Sequence, residues 1–125
     1  MNYSKLTRRY FASAANAGEL RGADVFRGAA GSVSHGTWVQ FDLQVARGSV
    51  QGARFRAFAC PHTIAVCAWL AEAAVGKPPQ AGLPESIQQI RDRFDVPVEK
   101  MGRLLTIEDA WRAAAVPAIA GVEKA

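Results

Sequence analysis

Four side chains in this sequence can act as nucleophiles or as ligands for a borderline metal ion. They are Cys60, Cys67, His35 and His62, and the chain holds no other cysteine or histidine. Cys60-Pro61-His62-Thr63 runs into a long apolar stretch, Ile64 to Val75. Proline suits the first position of a helix, so Cys60 is expected at a helix start. Unpaired backbone N–H groups and the helix dipole favour negative charge there, which lowers a thiol's pKa and makes it a better nucleophile or metal ligand. The alternative for the same residue is a small side chain buried where a strand ends. Cys67 lies one to two turns further on, on the side of Ile64, Ala71 and Ala74, and is read as core. His35 precedes Gly36, and His62 follows Cys60 by two residues. A thiolate with two imidazoles would suit zinc or a similar divalent ion, so Cys60, His35 and His62 form a candidate metal set. Their spacing matches no named zinc motif, and a histidine alone in a loop is ordinarily a surface residue. The two cysteines fit neither a C-x-x-C motif nor a disulfide framework, and a reducing compartment would keep them as thiols. No phosphate-binding glycine loop and no Ser/His/Asp arrangement occurs. Glu72, Glu108 and Asp109 read as solvated helix positions, and nothing points to an enzyme with its own turnover.

The elements around these residues are legible from hydrophobic period. Ser4 can cap a first helix to about Ala12, with Leu6 and Tyr10 on one face and a stop at Asn16 and Gly18. The glycine-rich stretch 21–36 reads as a short irregular strand running into a turn. In Thr37 to Val45 the apolar Val39, Phe41, Leu43 and Val45 alternate with Gln40, Asp42 and Gln44, which predicts an antiparallel strand covered on one side only. Ala46-Arg47-Gly48-Ser49 is a hairpin turn, and the return strand runs from Val50 to about Ala59 with a bulge at Gly52. This hairpin would bring residues 35–36 opposite the region of Cys60. A helix from Pro61 to Gly76, apolar on nearly every side, belongs deep in the core. Lys77-Pro78-Pro79-Gln80 reads as a linker. Two more helices are expected, Glu85 to about Phe94 and Thr106 to about Val116, the second capped by Thr106 with Asp109. Helix, strands, then helices predict an α+β fold: a small antiparallel sheet of about three strands with helices packed on one face.

At 125 residues, half of them hydrophobic, the chain suits a single domain spanning 1–125. The net charge of +4 permits an acidic partner, but the arginines are dispersed and no RNA-binding aromatic signature accompanies them. Nucleic acid is therefore not the expected partner. No apolar run reaches membrane-spanning length, and the polar, basic start from Met1 to Arg9 is unlike a secretory signal. A cytoplasmic protein is expected.

In order and spacing the chain resembles the IscU/NifU N-terminal family of iron–sulfur cluster assembly scaffolds, from about residue 3 to 115. Tyr3-Ser4 with Asn16-Ala17-Gly18 resembles the family's opening. Gly31 to Thr37 stands where the family has a glycine, a short loop and Cys-Gly-Asp. Phe55 to Ala65, with Cys60 inside it, resembles the segment around the middle cysteine, and Glu108-Asp109-Ala110 the last helix. The resemblance implies a scaffold that holds a nascent [2Fe–2S] cluster on three cysteines and an aspartate or histidine, in a pocket that also takes zinc. Here Cys60 matches the middle cysteine. His35 stands at the first cysteine, Thr37 at the aspartate, and Gly102-Arg103 at the His-Cys pair. The chaperone-recognition segment is reduced to Val96-Pro97-Val98-Glu99-Lys100. The implied role is a divergent scaffold-like protein with Cys60, and His35 beside it, as the remaining site for zinc, iron or sulfur. With this ligand set a [2Fe–2S] cluster is not expected. The alternatives are a cluster-free adaptor and a small zinc protein. The implied partner is a cysteine desulfurase or another assembly protein.

Overall fold

The computed structural model describes residues 3–13 and 16–124. Three strands, β1 (Val25–Ser32), β2 (Thr37–Ala46) and β3 (Ser49–Phe58), form one antiparallel sheet in that order. Because β-strand side chains alternate, one face collects Phe26, Leu43 and Ala53, then Gly28, Phe41 and Phe55, then Ala30, Val39 and Ala57. Helices α2 (Pro61–Ala74) and α4 (Met101–Lys124) cover that face, α2 against β3 and α4 across β1 and β2. Helix α1 (Lys5–Ser13) packs on α2, and α3 (Ile87–Phe94) lies between α1, α2 and α4. This is the α+β arrangement expected from the order of the elements.

Local chemistry explains the joints. Arg47 and Gly48 both take positive φ, 57° and 79°, the pair of left-handed residues that a two-residue hairpin turn needs. The expected bulge is present: Gln44 pairs with Gly52 but Val45 with Val50, so Gln51 is the extra residue. At Gly28 helix α4 lies so close to β1 that a Cβ would stand 2.2 Å from the Ala114 backbone nitrogen. Only glycine fits that contact, and it sets how near α4 approaches the sheet.

Several expectations need correction. The glycine-rich stretch is no short irregular strand, since Val25 to Ser32 pairs with β2 along its whole length. Strand β2 is covered on both sides. Asp42, on its polar face, is 1% exposed because the segment after α1 lies over it. The 77–80 linker includes part of a 3-10 turn, Pro79–Ala81, with Pro79 buried. Helix α3 starts later than expected, capped by Ser86, whose side chain and that of Gln89 form a capping box. The last helix starts at Met101 rather than Thr106, and the Thr106 hydroxyl donates back to the Gly102 carbonyl within it. Leu104 and Ile107 continue the buried stripe of Trp111 and Ala114 toward the N-terminus, so packing extends the helix past the capping signal. The first helix is capped by Ser4 as expected, its Oγ accepting from the Thr7 N–H at 3.1 Å. The helix ends at Ser13, near the expected Ala12, and Gly18 of the expected stop takes a positive φ of 127°; Met1 and Asn2 of the polar start lie outside the described residues.

Candidate functional site

Helix α2 must begin at Cys60 because Pro61 has no N–H to donate and presets the helical φ. Cys60 is the N-cap residue, extended at φ −76°, ψ 165°, and half-buried. Its Sγ lies 3.4 Å from the Thr63 hydroxyl. Burial pushes this thiol's pKa up. The Thr63 hydroxyl and N–H, with the hydrogen bond and charge of Arg103, more than offset that, and the pKa falls below the usual thiol value. Two independent devices thus stabilise a thiolate: the open amides of the helix start and a guanidinium from the first turn of α4.

A cavity of about 320 Å³ adjoins this pair, with Ser32, His35, Thr37, Gly102 and Arg103 in its walls. Gly31, at φ +83°, shapes it from the end of β1: a Cβ there would meet the Thr37 carbonyl at 2.2 Å. His35 is exposed in a 3-10 turn, Val33–His35, with its Nδ1 2.6 Å from the Ser32 hydroxyl, an orientation that leaves Nε2 as the ring's other donor atom. The four positions matched to scaffold ligands or their neighbours, His35, Thr37, Gly102 and Arg103, therefore line one cavity; Cys60 is not in its walls and is linked to it by the charge of Arg103.

His62 does not join them. It is 3% exposed, its Nδ1 sits 3.3 Å from Lys100 Nζ, and the Tyr3 ring meets it edge-on at 4.6 Å. Burial lowers its pKa, and the charges of Lys100 and Arg103 lower it further against the opposing charge of Asp95. Among the described residues no three His, Cys, Asp or Glu side chains come close enough to hold a metal ion. Cys67 is fully buried on α2 and burial raises its pKa strongly, as a core thiol should behave.

Two partners of Cys60 were not singled out by its own local sequence. Thr63 had a signal: three residues after a helix cap is where a hydroxyl meets the cap side chain. Arg103 had none in the local pattern, because it arrives from α4, 43 residues along the numbering in the chain.

A [2Fe–2S] cluster needs about four thiolate, carboxylate or imidazole donors. The matched positions supply one thiolate, one imidazole and a hydroxyl, and Arg103 places a permanent cation that cannot donate to metal at the fourth. The residues present do not fit a cluster held by this chain alone. They fit a single reactive sulfur beside Arg103, with His35 in the wall of the cavity that Arg103 also lines.

The family model for the NifU-like N-terminal domain matches residues 2–119. The comparison with curated proteins finds no match. Among solved structures, a protein assigned as an iron–sulfur cluster assembly scaffold for the SUF system of the thermophile Fervidobacterium islandicum superposes with a TM-score of 0.72 at 16% identity. That match covers 90% of this chain and 96% of the other. A nitrogen-fixing NifU-like protein (N-terminal) from Brucella abortus gives 0.69 at 18% identity, covering 97% and 94%. At these identities the likeness establishes the fold.

Proposed function

The chain belongs to the family of NifU-like N-terminal domains, and from that premise we propose that it serves iron–sulfur cluster assembly as a scaffold-like protein centred on Cys60. The names of its structural neighbours, one an assembly scaffold, support the process. The single observation that carries the site is the half-buried Cys60 thiol at the start of α2, 3.4 Å from the Thr63 hydroxyl, where the charge of Arg103 favours the thiolate. Its cargo is one sulfane sulfur or one metal ion, with His35 as a second donor from the adjoining cavity. In sulfur transfer the Cys60 thiolate attacks the outer sulfur of a donor persulfide. A Cys60 S–S bond forms, the donor's S–S bond breaks, and the donor leaves as a thiolate, with no net oxidation. The role is to bind and hand on rather than to turn over substrate. The partner is a cysteine desulfurase or another assembly protein, the whole chain acts as one domain, and the compartment is the cytoplasm. No helix of the described residues is long and apolar enough to cross a membrane.

One observation favours a second reading. Arg103 blocks the ligand position that would complete a cluster, which suits a cluster-free adaptor that keeps the fold and docks an assembly partner. A zinc site on His35, Cys60 and His62 would need His62 to leave Tyr3 and Lys100.

Incubation with a cysteine desulfurase and cysteine, followed by mass analysis, tests the first reading. A persulfide on Cys60, absent in Cys60→Ala, supports it. Iron, sulfide and zinc reconstitution with metal analysis tests the cargo alternatives. If Cys60→Ala alters no sulfur, metal or partner binding, the Cys60-centred reading fails.

A further inference from the structure

The sheet is closed along one edge and open along the other. On the β3 side, Val50 exchanges backbone hydrogen bonds with Gly76 and Lys77, and Phe55 with Asn16 and Gly18. On the β1 side, the Val45 N–H donates to the Asp24 carbonyl at 3.0 Å, which sets the alternation of the antiparallel pair. Phe26, Gly28 and Ala30 keep step with Asp24 and turn their backbone groups to β2. Arg27 and Ala29 turn theirs outward, as does the Gly31 N–H. All of these outward residues are exposed, and among the described residues nothing hydrogen-bonds their outward backbone groups. Edge strands are ordinarily guarded by lysine, proline or shortness, because an open edge is a template for another strand. Strand β1 runs for eight residues and holds neither lysine nor proline. Its one charged side chain, Arg27, is held by Asp42 at 2.8 Å and stands 3.4 Å from Glu19, so it lies back over the sheet face and leaves the edge unguarded.

We propose that this edge pairs antiparallel with β1 of a second copy of the chain, with Ala29 on the two-fold axis and one sheet running through both copies. At that register each Ala29 N–H donates to the carbonyl of the other Ala29, and each Gly31 N–H donates to the Arg27 carbonyl across from it. The edge is thus its own complement, as an isologous contact requires. Ala29 meets Ala29, Gly28 meets Ala30 and Arg27 meets Gly31, so two large side chains never face each other. An axis at Arg27 would set two guanidinium groups opposite each other. The Ala29 axis keeps them apart, and each already has Asp42 and Glu19 as counter-charges. A foreign strand would have to supply the same run of small residues, which the second copy carries by symmetry. The assembly is independent of the Cys60 chemistry, and either can fail without the other.

The test uses the full chain in analytical ultracentrifugation and in amide hydrogen exchange read by NMR. An edge contact is small, so the dimer should be weak, and the mass should rise toward that of two chains between about 10 μM and about 1 mM. Over the same range the Ala29 and Gly31 amides should gain protection, while those of Phe26, Gly28 and Ala30 stay protected throughout. Ala29→Lys sets two ammonium groups across the axis from an exposed position, and should weaken the dimer by about tenfold or more while the monomer stays folded. Gln51→Lys adds the same charge at an exposed position on β3, and should leave the dimer unchanged. Cys60→Ala should dimerise like the parent. A parent that stays monomeric at about 1 mM overturns the proposal and leaves the edge to an extended segment of a different protein. A dimer that Ala29→Lys leaves intact, that Gln51→Lys weakens as much, or that forms without protection of the Ala29 amide overturns it as well.

Discussion

On the outer face of the sheet, Asp42 meets Arg27; at the start of α2, Cys60 meets Arg103. In both places burial pushes an acidic group's pKa up, and an arginine with backbone N–H donors brings it below its ordinary value. The difference lies in what is left over. Asp42 is 1% exposed, and its two oxygens accept from Arg27 at 2.8 Å and 2.8 Å, from the Leu20 N–H at 2.9 Å and from Gln40 at 3.3 Å. Every lone pair that points inward is used, so this anion can only hold structure. Cys60 is half-buried and makes one long contact to Thr63, with Arg103 beside it in the wall of a cavity. An anion stabilised but not surrounded can still react. The same electrostatic device thus serves cohesion in one region and reactivity in the other, and solvent access decides which.

Removing each anion should break the comparison open most widely. Asp42→Ala strands the Leu20 N–H and releases the segment that Asp42 ties to β2. It should cost about 2–3 kcal/mol, read as a lower denaturant midpoint. Cys60→Ala removes a half-exposed side chain with one weak contact and should cost less than about 1 kcal/mol in the same measurement. Equal losses would mean that Cys60 is a structural residue and the contrast is false. The next largest effect concerns rate. Arg103→Gln removes the charge that favours the Cys60 thiolate, so alkylation by iodoacetamide near neutral pH should slow by about 3- to 10-fold. Arg103→Lys should restore part of it, and Arg27→Gln should leave it unchanged. A response to Arg27→Gln would show that net charge, rather than the local pair, sets the reactivity.

How far the sequence revealed these two regions follows from the range of the interactions. Strand β2, its hairpin and the start of α2 were legible, because alternation, an Arg-Gly turn and Cys-Pro are signals within a few residues. The family resemblance and the α+β arrangement were legible from order and spacing. The burial of Asp42 was not. Alternation labels it solvent-facing, and only the approach of Glu19 and Leu20 from a loop covers it. Arg103 was legible as a departure from the family's ligand, but not as the group that tunes Cys60. His62 looked like a companion of Cys60 because two residues separate them. In the structure its buried ring packs against Tyr3 and Lys100, contacts that lie far from it in sequence. Local chemistry is written in the chain; coverage and cross-element pairing emerge from packing.

The finest test sets Cys60 against Cys67 on the same helix, through the pH dependence of stability. For Cys60 the folded pKa is lowered, so its contribution is complete above the unfolded thiol's pKa of about 8.5 and is lost as pH falls through the folded value. For Cys67 burial raises the folded pKa, so its contribution is complete below about 8.5 and is lost as pH rises above that. The two cysteines therefore push stability in opposite directions with pH. Relative to the parent, Cys60→Ser should lose the gain in stability that comes as pH rises toward about 8.5. Cys67→Ser should instead lose the decline above it, on top of a pH-independent cost of placing a hydroxyl in an apolar site. Denaturant midpoints taken at intervals from neutral to alkaline pH distinguish these slopes. Parallel curves for the parent and Cys60→Ser would mean that the Cys60 thiolate gains nothing from its place beside Arg103, and the likeness to Asp42 would end there.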